Sequence, residues 1–280
     1  MNYRHAYHAG NFADVLKHAL LVWTVRYLQQ KDGALCLIDT HGGAGLYDLT
    51  AAAAQKTGEA AGGVLRLAEA DERPAVLDPY WQLVRRANKT DRITNYPGSP
   101  WLLAAMLRAK DRAVIGELHE DDAEALRAGL SRFERVRVVE GDGYALLNGN
   151  VPPPEKRGLV LIDPPFEAAD EFELLARSVI NAHEKWPTGV YLIWYPLKEP
   201  APVERFRGEL ANARVSKIAA IDFGVGGDDE GMNACGLLLI NPPWTMFADW
   251  REPLAWLNRT LARPGGEGRP FQSVSFEDFG

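Results

Sequence analysis

Residues 158–166 read Gly158-Leu159-Val160-Leu161-Ile162-Asp163-Pro164-Pro165-Phe166, an apolar run stopped by an acid, two prolines and an aromatic ring. A continuous apolar run of this length suits a strand buried on both faces, the kind found inside a sheet covered by helices. Pro164 and Pro165 cannot donate to a sheet ladder and each fixes its own φ, so the strand must end there. Proline also biases the residue before it toward extended backbone, which includes Asp163. The run therefore delivers a carboxylate, backbone carbonyls and a flat ring to one point at a sheet edge. That combination suits an exocyclic amine on a planar base, with acceptors for its hydrogens and a face for its ring. A plain strand followed by a Pro-Pro turn is the alternative.

The pattern occurs twice. Gly236-Leu237-Leu238-Leu239-Ile240 runs into Asn241-Pro242-Pro243-Trp244, so the order of strands along the chain has to decide which copy lies at a ligand site.

Residues 13–30 carry an apolar stripe (Val15, Leu16, Ala19, Leu20, Trp23, Tyr27) that predicts an amphipathic helix ending near Lys31-Asp32-Gly33. The run 34–38 predicts a first strand, closed by Asp39-Thr40-His41-Gly42-Gly43-Ala44-Gly45. Residues 46–97 read as mostly helical. Strands are then expected at 113–117, 136–139, 159–163, 189–195, 216–222 and 235–241, with helices near 120–130 and 170–185. Seven strands alternating with helices indicate an α/β, Rossmann-like, doubly wound and mostly parallel sheet. The chain divides into a main domain, 1–45 and 98–280, and a helical insertion subdomain, 46–97. The end beyond Pro264 is expected to be a loosely packed tail.

Composition narrows the function classes. The chain is 46% hydrophobic with 8 Trp, enough for a sizeable core. Cys36 and Cys235 each lie in an apolar run and match no zinc spacing, so they read as buried thiols of a reducing compartment. No apolar leader and no membrane-length run occurs, which points to a soluble cytoplasmic protein. A net charge of −7 argues mildly against a general nucleic-acid binder. Local basic clusters at 85–89, 132–137 and 156–157 keep a patch open.

In an open α/β sheet the ligand lies beyond the carboxyl ends of the strands, near the switch point. The first strand ends on His41 and a glycine-rich turn, where backbone can approach a ligand closely. The second ends on Glu117, an acid suited to both hydroxyls of a ribose. That acid lies much further beyond Gly45 than in a simple dinucleotide fold, which fits an insertion at 46–97. The third strand is followed by Asp142-Gly143, a candidate for an adenine amino group, and the fourth by Asp163-Pro164-Pro165-Phe166. This order is that of an S-adenosylmethionine-dependent amino-methyltransferase. Asn241 closes the seventh strand, on the far side of the sheet, and reads as structural.

The string Tyr3-Arg4-His5-x-x-His8-Ala9-Gly10-Asn11-x-Ala13-Asp14-Val15-Leu16-Lys17-His18 resembles the signature of the RlmJ family, bacterial 23S rRNA adenine-N6 methyltransferases. Asp39-Thr40-His41, Tyr96-Pro97-Gly98-Ser99-Pro100, Glu117-Leu118-His119, Asp142-Gly143, Asp163-Pro164-Pro165 and Trp194-Tyr195-Pro196 match it too. The resemblance spans nearly the whole chain. It implies that His18, His41, Ser99, Glu117, Asp142, Gly143 and Asp163 contact S-adenosylmethionine. It also implies that Asp163, with Pro164 and Phe166, acts on the target base, and that Tyr3 meets the RNA. The implied partner is 23S rRNA, protein-free or in an early assembly intermediate, with the adenine at expected position 2030. No metal and no membrane are involved, and a monomer is expected. Phe166 stands where the family often has Tyr, and Gly42 where Ala is common. Competing classes are methylation of DNA adenine or protein glutamine, and a non-catalytic RNA-binding scaffold.

Overall fold

The computed structural model describes residues 4–227, 231–263 and 272–273. Ten strands and ten α-helices alternate along them. The strands are β1 (Cys36–Asp39), β2 (Leu46–Asp48), β3 (Asn95–Pro97), β4 (Arg112–Glu117), β5 (Val136–Glu140), β6 (Gly158–Ile162), β7 (Val190–Pro196), β8 (Ile218–Gly224), β9 (Ala234–Ile240) and β10 (Gln272–Ser273). All but β2 and β3 form one sheet, in the order β10-β8-β9-β7-β6-β1-β4-β5. Its first five strands in chain order (β1, β4, β5, β6, β7) are parallel to one another, and β9 runs antiparallel to both β7 and β8. The seven predicted strands are present, and β10 adds a short antiparallel pairing on β8. Beyond that pair, the predicted loose tail lies outside the described residues.

The chain winds outward from β1 to β4 and β5, then returns to β6 and continues to β7, so the switch point falls between β1 and β6. Register fixes what meets there. Asp39 is level with Ile115 on one side and Leu161 on the other. Two residues further along each strand, His41, Glu117 and Asp163 therefore emerge together at the same sheet edge. Asn241 emerges at the opposite edge, because β9 is antiparallel and Ile240 pairs with Tyr191 near the start of β7.

The helix α1 (Phe12–Gln29) starts where Asn11 Oδ1 accepts from Asp14 N at 2.9 Å, which satisfies an orphan donor of the first turn. The sequence pattern predicts a one-sided apolar stripe, yet thirteen residues of the helix are buried, from Phe12 through Val25. The reason is position. One face of α1 lies on the sheet, and the other is covered by α4 (Asp78–Arg86) and α5 (Ser99–Met106). The 46–97 block holds α2 (Ala52–Thr57), α3 (Val64–Glu69) and α4, and it begins and ends on the paired strands β2 and β3. Its buried Val64, Leu67, Tyr80, Val84 and Tyr96 belong to the same apolar cluster as α1. The remaining helices, α6 (Glu120–Leu130), α7 (Gly143–Asn150), α8 (Glu171–Lys185), α9 (Pro200–Asn212) and α10 (Met246–Leu261), cover the sheet. Cys36 and Cys235 are buried and unbonded. Among the described residues no helix is long and apolar enough to cross a membrane.

Candidate active site

A cavity of about 730 Å³ opens over the switch point. It is lined by residues from four strand ends together with α1, so its chemistry is set by what those elements carry.

The half nearest β1 and β4 is built from backbone. Gly43 N donates to Glu117 Oε2 at 2.7 Å and His119 N donates to Oε1 at 2.7 Å, which aims the carboxylate without engaging all its lone pairs. Gly43 has φ +60, and a Cβ there would stand 2.2 Å from the Tyr47 hydroxyl. Glycine is thus required at the closest point of the turn. His41 Nδ1 pairs with Thr40 Oγ1 at 2.7 Å, and its ring meets Tyr144 edge-on at 5.3 Å. Burial pushes His41 down to about 4, so the imidazole is neutral at physiological pH. Gly143 backs it: a Cβ there would lie 2.6 Å from His41 Nε2 and 2.4 Å from Thr40 O. Ser99, the first residue of α5, closes this half.

The half nearest β6 is built from charge. Lys17, from the buried helix α1, reaches Asp163 Oδ2 at 2.5 Å and Asp14 Oδ1 at 2.8 Å. Asp14 Oδ2 in turn accepts from Gly10 N and pairs with His5 Nε2, each at 2.9 Å. Burial opposes the Lys17 charge, but Asp14 and Asp163 outweigh it and hold the ammonium above its ordinary value. Burial likewise opposes the Asp14 carboxylate, and His5 and Lys17 more than offset it. His18 is different. It is 1% exposed, its Nδ1 pairs with Tyr96 Oη at 2.7 Å, and burial pushes it down to about 3. It is a buried, neutral histidine. Behind the loop, Asp39 is fully buried, its Oδ2 has no hydrogen-bond partner among the described residues, and burial lifts the carboxyl to about 7.

Phe166 follows the two prolines with φ +51. It packs on Phe172 at 4.8 Å and Trp194 at 5.8 Å between ring centroids, and Lys17 Nζ stands 5.9 Å from the Trp194 ring. An aromatic shelf therefore borders Asp163.

The cavity thus joins a buried Lys17–Asp163 pair to the Gly43 turn and the Glu117 carboxylate, at the carboxyl ends of parallel strands where α/β sheets bind ligands. The pattern of the family described as ribosomal RNA large subunit methyltransferase D, RlmJ, matches residues 32–272. The chain belongs to that family. It is 36% identical over 270 residues to ribosomal RNA large subunit methyltransferase J of Escherichia coli (strain K12), covering 96% of each chain. The protein of the same name from Haemophilus influenzae matches at 36% over 271 residues, again 96% of each. A crystal structure of a protein from Legionella pneumophila str. Philadelphia 1 superposes with a TM-score of 0.86 at 35% identity, covering 92% of this chain and 96% of that one.

Of the residues assigned through the RlmJ resemblance, His18, His41, Ser99, Glu117, Asp163, Pro164 and Phe166 all line the cavity. Asp142 and Gly143 do not. Asp142 Oδ1 accepts from Ala145 N at 2.7 Å, capping α7, and Gly143 lies behind His41. Tyr3 lies outside the described residues. Asn241 is a turn residue: its Nδ2 donates to Pro187 O and Gly189 O, each at 2.8 Å, and its φ is +53. Sequence reasoning gave no role to Asp14, Lys17 or Trp194. An acid and a lysine three apart on an otherwise apolar helix was the available signal, since charges are buried only when paired.

Proposed function

We propose that the chain methylates N6 of an adenine in 23S rRNA, expected at position 2030, with S-adenosylmethionine as donor. We further read it as a cytoplasmic monomer in which 46–97 is an insertion into the methyltransferase domain. The observation that carries the reading is the Lys17–Asp163 pair beside Phe166 and Trp194, in one cavity with Glu117 and the Gly43 turn.

The donor set fits the cofactor. Glu117 has lone pairs left for ribose hydroxyls, His41 and His18 are neutral, and the Gly43 cradle would be filled by any Cβ. When bound, S-adenosylmethionine supplies an electrophilic methyl group on a positively charged sulfur. Everything else falls to the chain's own residues. The N6 lone pair of adenine is delocalised into the ring, so the amine is a weak nucleophile until its hydrogens are held. Lys17 engages Asp163 Oδ2 and leaves Oδ1 to accept one N6 hydrogen, while the Pro164 carbonyl accepts the other. Both acceptors favour a pyramidal nitrogen with its lone pair directed at the methyl group. Phe166 offers a face to the base with Trp194 edge-on beside it, and the base must first leave its stack. A carboxylate bridged to an ammonium serves as a fixed acceptor, so Asp163 orients the amine and water takes the proton released after transfer.

A labelled-cofactor assay tests this reading with protein-free 23S rRNA, assembled large subunits, DNA and protein extract in parallel. Label is expected in 23S rRNA, as N6-methyladenosine at one position. Label only in DNA or protein, or none in any arm, would overturn it in favour of another amine substrate or a scaffold.

A further inference from the structure

Charge is segregated between the two edges of the sheet. At the cavity mouth, segments 117–122, 140–143, 163–171 and 196–199 contain eleven Asp and Glu against one Lys, Lys198. At the opposite edge, segments 30–35, 107–112, 131–137, 148–157, 183–189, 213–217 and 241–245 contain 12 Lys and Arg against 5 Asp and Glu. A net charge of −7 therefore conceals a basic face on the side away from the cavity.

Contacts and register draw that face together. Gly158, Cys36 and Arg112 are level on adjacent strands, and Val136 is level with Ala113. Arg157, Arg112 and Arg135 thus stand at neighbouring strand starts, within about 15 Å at the usual strand spacing. Arg157 also donates to Leu28 O and Gly33 O, and Arg108 to Gln29 O, Lys31 O and Gly33 O, which ties the 28–33 turn to the same edge. Some of these cations are neutralised: Arg112 by Glu155, Lys110 by Asp32, Arg108 by Asp111. Others bond only neutral oxygens, including Arg157, Arg137 with Asn150 Oδ1, and Lys185 with Asn148 O. Lys31, Arg135 and Lys156 are exposed and make no ion pair among the described residues. Capping of the α1 carbonyls accounts for Arg108 and Arg157, but it leaves the exposed, unneutralised charges unexplained.

We propose that this basic edge, centred on Lys31, Arg135, Arg137 and Lys156, is a second nucleic-acid contact that binds the phosphate backbone of an RNA segment other than the one carrying the target adenine. The inference rests on the rRNA reading above. The acidic mouth suits a cationic donor and repels phosphates, so a large RNA gains little electrostatic attraction there. The sheet is about 17 Å deep along five residues, and a folded RNA longer than one hairpin can reach from the mouth to the far edge. Lattices of phosphates need no base contacts, so the expected recognition is of backbone, independent of sequence.

The test compares wild-type protein with the triple variant Lys31→Glu/Arg135→Glu/Lys156→Glu and the neutral Lys31→Gln/Arg135→Gln/Lys156→Gln. Binding and methylation are measured on full-length 23S rRNA and on a short hairpin carrying the target adenine. Charge reversal is expected to weaken binding of the long RNA at least about tenfold and to flatten its salt dependence by about two units of slope, with the neutral variant intermediate. Hairpin methylation and thermal stability stay within about twofold and a few degrees of wild type. Unchanged affinity for the long RNA, or an equal loss on both RNAs, would overturn the proposal. Should wild-type protein methylate neither RNA, the functional reading fails, while the binding comparison still decides whether this edge holds RNA.

Discussion

Lys17 is the residue on which the site's geometry depends, because it is 3% exposed and touches two carboxylates at once. Removing one partner of a buried ion pair leaves the other uncompensated, typically at about 3–5 kcal/mol. Lys17→Met is therefore expected to destabilise the protein by about that much in urea unfolding. It should also lower methyl transfer at least about 100-fold, since Asp163 loses the contact that fixes it. Asp39 gives a prediction in pH. Its carboxyl is raised to about 7 in the folded protein, so between its unfolded value and about 7 the folded state binds more protons. Stability contributed by this group is fully present below the unfolded value and is lost as pH rises through the folded one. Asp39→Asn removes that titration, so the stability of the variant relative to wild type should increase from about pH 4 to about pH 7 and level off above it. Unfolding curves at several pH values check it, and a flat or falling difference would contradict the burial argument. At this scale the sequence was readable where a residue type has few other uses, as in Asp163-Pro164-Pro165-Phe166. It was opaque at Lys17, whose partners come from 3 and 146 positions away in the chain.

The elements explain why two nearly identical elbows differ in role. Both apolar strands end on an (Asp/Asn)-Pro-Pro-aromatic turn, but β6 is parallel to β1 and β9 is antiparallel to β7. Direction alone sends Asp163 to the cavity and Asn241 to the far edge. There Asn241 pins the turn before β7 through Pro187 O and Gly189 O. Asn241→Ala should cost about 1–3 kcal/mol of stability, because two carbonyls lose their donor, while methyl transfer per folded molecule stays within about twofold. Denaturant unfolding and a turnover assay on the same preparation separate the two effects. The start of α7 offers a second check. Gly143→Ala would force a Cβ against Thr40 O and His41, so cofactor affinity measured by calorimetry should fall about tenfold. Strand order and direction were legible because each parallel strand is a continuous apolar run between helical stretches. The burial of α1 on every side was not, since the covering helices come from 46–106, and no periodicity within α1 reports what will pack on it.

Across the whole molecule, the sheet edge carrying the cavity has an excess of acid and the other an excess of base, and a single net charge hides both. The sequence made the segments visible, and only the topology sorts them by edge. Family membership makes the chain an rRNA large subunit methyltransferase, and the central proposal built on the cavity and the Lys17–Asp163 pair is that Asp163 orients an adenine amine for methylation. The most direct measurement is nucleoside mass spectrometry of 23S rRNA after incubation with S-adenosylmethionine and wild-type, Asp163→Ala or Asn241→Ala protein. N6-methyladenosine should form with wild type and Asn241→Ala and fall at least about 1000-fold with Asp163→Ala, provided all three remain folded. Methylation surviving in Asp163→Ala, or lost only in Asn241→Ala, would contradict it.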